Sequence, residues 1–180
     1  MMKILNKVLI IDDDEVNNMF SLIVIEHLGI TRDVYACMSG PEAFDYLATC
    51  ISNGEEVPDL ILLDINMPFM SGLEFLKHYH ELGYHKILPT KISMLSSSDL
   101  ESDAKAALKY EGVIDYVVKP LSEEAFNRLV YKLNRTFYNE SDTFDSTAPL
   151  AKFLFPLNQS CSQLALYKRG CSSTTGGEGT

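Results

Sequence analysis

The chain has 180 residues, 46% of which are apolar, and it carries a formal net charge of −10 at pH 7. This composition predicts one globular domain with a buried core and argues against a wholly disordered chain. No apolar run is long enough to span a membrane, no secretory signal is recognisable, and the acidic balance argues against direct binding to nucleic acid. The four cysteines have no metal-ligand spacing, so we expect free thiols in a cytoplasmic protein.

Apolar residues change their spacing repeatedly between residues 7 and 137. Short apolar runs predict strands over residues 7–12, 32–37, 59–64, 87–95 and 114–118. Helical spacing and end signals predict helices over residues 15–28, 39–52, 71–82, 98–110 and 122–137. Capping boxes are predicted at Ser39 with Glu42 and at Ser98 with Glu101. In the first helix an apolar stripe of the kind that packs on a core is formed by Val16, Phe20, Ile23, Val24 and Leu28.

This regular alternation of strands and helices predicts the fold class. Five strand–helix units indicate an α/β fold with a doubly wound, five-stranded parallel sheet and helices on both faces. In such sheets the working site lies at the carboxyl ends of the strands. The residues that directly follow each predicted strand are therefore the candidates for function.

The chain changes character after residue 138. We expect a folded domain over residues 5–138 and an irregular, mostly flexible tail over residues 139–180, which ends in serine, threonine and glycine. Leu150–Leu157 is apolar enough to dock on a surface, so a short binding motif is one alternative. A segment added for expression is another.

Polar side chains follow four of the predicted strands. Asp12 and Asp13 follow the first strand, Asp64 ends the third, Ser96 ends the fourth and Lys119 follows the fifth. Three converging carboxylates repel one another unless a cation joins them, and hard oxygen ligands favour Mg²⁺, with Mn²⁺ as the alternative. A hydroxyl and an ammonium beside such a cation suit a phosphoryl group.

These residues lie in stretches that resemble a known family. The stretches are VLIIDDDEVNN over 8–18, DLILLDINMPFMSGLEFL over 59–76, ISMLSSSD over 92–99 and IDYVVKPL over 114–121. They are similar to the receiver domains of two-component response regulators, and the chemotaxis-type stand-alone receiver is nearest in layout. The resemblance covers about residues 5–138, implies the flavodoxin-like (βα)₅ receiver fold and leaves the tail without a counterpart.

The resemblance implies a role for each acidic position. Asp64 would be the phosphoacceptor, whose carboxylate attacks the phosphorus of a phosphohistidine on a partner kinase. Asp13 would bind Mg²⁺ directly, and Asp12 would bind it through a water molecule or contact one of its ligands. Asp64 and the backbone carbonyl of Asn66 would complete the set of protein ligands. Asn66 and Ser98 hold the positions that modulate hydrolysis of the phosphoryl bond in the family.

The resemblance also implies the groups that hold the phosphoryl oxygens and sense them. Lys119 would pair with the phosphoryl group, aimed by a cis peptide bond before Pro120. Ser96 would be the switch hydroxyl, although the run of three serines leaves its register open by one residue. Tyr116 matches the aromatic position that changes rotamer on phosphorylation, with a half-buried structural tyrosine as the alternative.

The function that the resemblance implies is a single-domain response regulator rather than an enzyme. Its phosphodonor would be a histidine kinase or a histidine phosphotransfer protein. Phosphorylation would change a protein-binding surface made by the predicted fourth helix, the fifth strand and the last helix, with the downstream protein unidentified and a phosphorylation-dependent homodimer as an open alternative. We expect no DNA-binding domain within these residues and no contact with a membrane.

Two other functions use a similar framework. A pseudo-receiver would bind proteins through the same fold without being phosphorylated, but the full set of acceptor, metal-binding and lysine residues argues against it. A phosphatase of the haloacid-dehalogenase type also uses an aspartate nucleophile, Mg²⁺ and a lysine. That family has a second aspartate two residues after the nucleophile, where this chain has Asn66.

Overall fold

The computed structural model describes residues 5–97 and 105–137, and it confirms the predicted fold class. Five parallel strands form one sheet in the order β2-β1-β3-β4-β5. The strands are β1 (Leu5–Ile11), β2 (Thr31–Cys37), β3 (Leu60–Asp64), β4 (Lys91–Ser96) and β5 (Val113–Val118). The helices with both ends described are α1 (Glu15–Leu28), α2 (Gly40–Asn53), α3 (Gly72–Glu81), α4 (Tyr84–Ile87) and α5 (Glu123–Phe137). Residues 105–107, in the predicted fourth helix, are also helical.

The central strands are buried on both faces of the sheet, because successive side chains of a strand point to opposite sides. Leu9 and Ile11 of β1 belong to a core shared with α2 and α3. Val8 and Ile10 of the same strand belong to the core on the opposite face, shared with α1 and α5. Packing on both faces positions the carboxyl ends of β1 and β3, and the candidate site lies at those ends.

Helix α1 packs on the sheet through a face that coincides only in part with the predicted apolar stripe. Its buried residues are Asn18, Ser21 and Ile25. Val24 and Leu28 are partly buried and pack against the core. The large apolar side chains of α1 that are at least half exposed are those of Val16, Met19, Phe20 and Ile23. Apolar residues lie on several faces of this helix, so spacing alone predicted only part of the packed face: Val24 and Leu28 contact the core, whereas Val16, Phe20 and Ile23 do not face it.

The burial of α1 leads to a test with two neighbouring isoleucines. Ile25→Ala should lower the free energy of unfolding by about 2–4 kcal/mol, because Ile25 is fully buried. Ile23→Ala should change it by no more than about 0.5 kcal/mol, because more than half of that side chain is already in solvent. Urea denaturation of both variants measures the difference, and equal losses would contradict the observed orientation of α1.

Two further local predictions are corrected by the structure. The fourth strand begins at Lys91 rather than at residue 87, because Tyr84–Ile87 forms a helical turn after Gly83. Ser39 caps α2 as predicted, but Glu42 accepts a hydrogen bond from the amide of Met38 at 2.7 Å, so the capping box is not reciprocal. A complete capping box instead joins Ser71 to Glu74 at the start of α3, and the box predicted at Ser98 with Glu101 lies outside the described residues.

Asp115 ties β5 to α5 and makes the attachment pH-dependent. Burial alone raises the pKa of Asp115, but hydrogen bonds from Lys132, the Tyr116 amide and Arg128 outweigh it and lower the pKa. The Lys132 Nζ to Asp115 Oδ2 distance is 2.9 Å, and the Arg128 Nε to Asp115 Oδ2 distance is 3.2 Å. Because the folded pKa is depressed, this interaction stabilises the fold above the unfolded pKa of about 4 and is lost as the pH falls through the folded value.

The expected result is a pH-dependent effect of Asp115→Asn. At pH 7 the variant should unfold with a free energy lower by up to about 1 kcal/mol, since Arg128 and Lys132 are partly exposed. The difference from wild type should narrow as the pH falls below about 4. Denaturation at several pH values measures this, with Asp33→Asn as a control because Asp33 is exposed. A difference in unfolding free energy between Asp115→Asn and wild type that stayed constant with pH would contradict this account.

Candidate functional site

Three aspartates meet at the carboxyl end of the sheet, as the strand ends predicted. Each of Asp12, Asp13 and Asp64 offers a carboxylate oxygen, and these oxygens all lie within 4.8 Å of one another. Asp12 and Asp64 are buried, whereas Asp13 is exposed at the mouth of the cluster. The cluster therefore has two fixed carboxylates at its base and one in contact with solvent.

Lys119 reaches this cluster from the end of β5. Its Nζ lies 2.6 Å from Asp12 Oδ2 and 2.9 Å from Asp64 Oδ1. The Lys119–Pro120 peptide bond is cis, and the Lys119 amide donates a hydrogen bond to the carbonyl of Ser96 at 2.7 Å. Burial alone lowers the pKa of Lys119, but hydrogen bonds and charges from Asp12 and Asp64 outweigh it and raise the pKa, so the lysine is a cation at neutral pH.

The charge of the cluster fits a divalent cation. Three carboxylates and one ammonium leave two negative charges in a small, partly buried space. Asp12 Oδ2 and Asp64 Oδ1 accept no hydrogen bond from any other described residue, so the ammonium of Lys119 is their close partner. Carboxylate oxygens that converge in this way are the ligands that Mg²⁺ prefers.

The loop between β1 and α1 positions the first two aspartates. Asp14 caps α1 by accepting hydrogen bonds from the amides of Val16 and Asn17, and its own amide donates to Asp12 Oδ1 at 3.0 Å. Asn18 is buried and donates from Nδ2 to the carbonyl of Asp12 at 2.8 Å. Asn18 is not among the predicted site residues, and the only signal for it in the sequence is a polar residue in the first turn of an amphipathic helix.

The loop between β3 and α3 is held firmly on both sides of its exposed centre. Met67 is buried, and a Cβ atom on Gly72 would lie 2.3 Å from the carbonyl oxygen of Asp64. A Cβ atom on Gly40 would lie 2.5 Å from Met70 Sδ, so the loop also packs closely against the start of α2. Glycine is required at position 72, because backbone atoms occupy the space of a side chain there, whereas at position 40 the neighbour is the flexible end of Met70. The side chain of Asn66 is exposed beside the cluster.

The predicted switch residues occupy the neighbouring strands. Ser96 is buried at the end of β4, one residue beyond Leu95, which pairs in register with Asp64. Tyr116 is half-buried on β5 and packs against the core shared with α2 and α3. Ser98 lies outside the described residues. The structure thus brings Asp12, Asp13, Asp64 and Lys119 into one cluster.

Comparisons with known proteins agree with this geometry. The family model for the response regulator receiver domain matches residues 8–131. A two-component response regulator of Arabidopsis thaliana is 32% identical over 126 residues, which are 70% of this chain and 82% of the relative. A response regulator structure from Cytophaga hutchinsonii has a TM-score of 0.67 and 29% identity, with 72% of this chain and 96% of that chain covered. The chemotaxis protein CheY4 of Vibrio cholerae has a TM-score of 0.55 and 28% identity, with 71% and 98% covered.

The relatives differ in length. In several other curated relatives the matched region makes up about half of the protein, with 52%, 56% and 48% covered. Among the described residues, no helix is long and apolar enough to cross a membrane.

Proposed function

Because the chain belongs to the response regulator receiver domain family, we propose that Asp64 accepts a phosphoryl group from a phosphohistidine in a Mg²⁺-dependent reaction. The observation that carries this proposal is the buried Asp64 carboxylate, 2.9 Å from the ammonium of Lys119 and grouped with Asp12 and Asp13. Residues 5–138 are proposed as the receiver domain, with residues 139–180 outside it. The proposed donor is a histidine kinase or a histidine phosphotransfer protein.

The reaction forms one bond and breaks another. An oxygen of the Asp64 carboxylate attacks phosphorus, the phosphorus–nitrogen bond to the donor histidine breaks, and the imidazole keeps the bonding electrons and takes a proton from solvent. Lys119 can neutralise phosphoryl oxygens while remaining close to Asp64. Asp12, Asp13, Asp64 and the Asn66 carbonyl would hold the Mg²⁺, which reduces the repulsion between nucleophile and phosphoryl group.

The product would act as a switch, and we propose that Ser96 and Tyr116 sense it. Ser96 ends β4 next to the acceptor strand, and the Lys119 amide donates a hydrogen bond to the Ser96 carbonyl. A displacement of either residue would therefore move the other. The altered surface would comprise the predicted fourth helix, β5 and α5. We propose that a downstream protein binds this surface. The chain would catalyse only its own phosphorylation and dephosphorylation.

Intact-mass measurement tests this function directly. Incubation with Mg²⁺ and acetyl phosphate should add one phosphoryl group, and EDTA should prevent the addition. Beryllofluoride should bind under the same Mg²⁺ conditions as a phosphoryl mimic. If neither acetyl phosphate nor beryllofluoride modifies the protein, and Mg²⁺ does not bind, the phosphoacceptor function is wrong and the pseudo-receiver alternative stands.

A further inference from the structure

Phe69 has an unusual combination of exposure and backbone conformation. It lies in the loop between β3 and α3, its side chain is fully exposed, and its φ angle is +66°. It is the one residue other than glycine with positive φ in the part of the chain that the structure describes. A left-handed conformation is disfavoured for a bulky residue, and glycine, asparagine or aspartate normally occupies such positions.

The conformation of Phe69 is imposed by the loop rather than by the phenylalanine. Two residues earlier Met67 is buried, and one residue later Met70 packs against Gly40. The fully exposed ring of Phe69 gains no burial from this arrangement. Glycine would suit the backbone here, and a polar residue would suit the solvent, so phenylalanine is unfavourable on both grounds within the isolated domain. Strained residues of this kind cluster at functional sites, so the strain and the full exposure of Phe69 together make it a candidate for contact with another molecule.

The position of Phe69 near Asp64 indicates which kind of molecule its ring would contact. Phe69 follows Asp64 by five residues, so its Cα lies within about 17 Å of the acceptor. A protein that carries the phosphoryl group on a histidine must bring that histidine to Asp64, and its surface must cover the mouth of the cluster. The ring is already exposed before any phosphoryl group is present, as a contact with the donor requires.

We propose that Phe69 is an aromatic anchor for the protein that delivers the phosphoryl group to Asp64, an inference that rests on the proposed function. The donor would offer an apolar recess beside its phosphohistidine. Because Asp13, Asp14 and Glu15 are exposed near the same mouth, the surrounding donor surface would be basic. A second copy of this chain fits less well, because it would bring the same exposed acids and a net charge of −10 against each other.

The test compares a protein phosphodonor with a small one. Purified, radiolabelled histidine kinases and phosphotransfer proteins are screened, and the donor that labels wild type fastest is kept. Phe69→Gly should lower the rate of phosphoryl transfer from this donor by at least about 10-fold when the donor concentration is below saturation. A loss of this size is typical when an aromatic residue that dominates an interface is removed. Phosphorylation by acetyl phosphate should be unchanged, and the thermal midpoint should rise because the backbone strain is relieved.

Two control variants separate the aromatic contact from the strain. Phe69→Tyr keeps a ring in the same conformation and should keep both the donor rate and the thermal midpoint. Leu82→Ala removes another exposed apolar side chain, at the end of α3, and should leave the donor rate unchanged.

Several results would overturn the proposal. These are full donor transfer in Phe69→Gly, an equal loss with acetyl phosphate, or no labelling of wild type by any protein donor while acetyl phosphate still labels it. Sedimentation that shows a wild-type dimer which Phe69→Gly dissociates would assign the ring to a second copy instead. Failure of the proposed function differs from all of these, since acetyl phosphate and beryllofluoride would then both fail on wild type.

Discussion

Asp64→Asn is expected to abolish phosphorylation by acetyl phosphate while the protein stays folded. Asparagine keeps the shape of the side chain at the end of β3 but removes the anionic oxygen that attacks phosphorus. The change also removes one of the three carboxylates that repel one another in the cluster, so the metal-free fold need not lose stability. Intact mass after incubation with Mg²⁺ and acetyl phosphate should show no added phosphoryl group in the variant.

Asp59→Asn is a matched control for this result, because Asp59 is also largely buried and directly precedes the same strand. Asp59 Oδ2 accepts a hydrogen bond from the Asn6 amide, which places it at the opposite end of the sheet from the cluster. We expect Asp59→Asn to be phosphorylated like wild type. A phosphoryl group on Asp64→Asn, located by peptide mapping at another carboxylate, would contradict the assignment of Asp64.

The strand ends were predictable because a parallel sheet determines where they meet. Once strands over 7–12, 59–64 and 114–118 are recognised, the connection rules place their carboxyl ends at one edge. Asp12, Asp64 and Lys119 then have to approach one another, and the structure places the lysine within 2.6 and 2.9 Å of the two carboxylates. The fold and the centre of the candidate site could therefore be inferred from spacing and residue type.

The orientation of α1 was less predictable, because tertiary contacts decided it. Asn18 is buried although it is polar, since its amide donates to the carbonyl of Asp12. Phe20 and Ile23 remain exposed although they are apolar. A helix with apolar residues on several faces offers more than one plausible stripe, and a single hydrogen bond to the acidic loop can select among them. The positive φ angle of Phe69 could not be predicted from the sequence either, because phenylalanine rarely adopts the left-handed backbone conformation.

Lys119→Met is expected to be the most destabilising change at the cluster. Lys119 is the close partner of Asp12 Oδ2 and Asp64 Oδ1, both buried, and its loss would leave two carboxylates without a compensating charge. Removing one member of a buried ion pair typically costs several kcal/mol, so we expect a loss of about 3 kcal/mol in EDTA. Urea denaturation measures it, with Lys132→Met as the control: that partly exposed lysine pairs with Asp115, and its loss should cost about 1 kcal/mol at most.

Mg²⁺ should separate the charge effect of Lys119→Met from a packing effect. A divalent ion held by the same carboxylates would supply the missing positive charge, so the stability difference from wild type should narrow when Mg²⁺ replaces EDTA. Lost packing of the lysine stem would instead leave the difference unchanged, because the cation does not fill that space. An unchanged difference, together with normal phosphorylation of the variant by acetyl phosphate, would show that Lys119 neither balances the buried carboxylates nor assists the phosphoryl group.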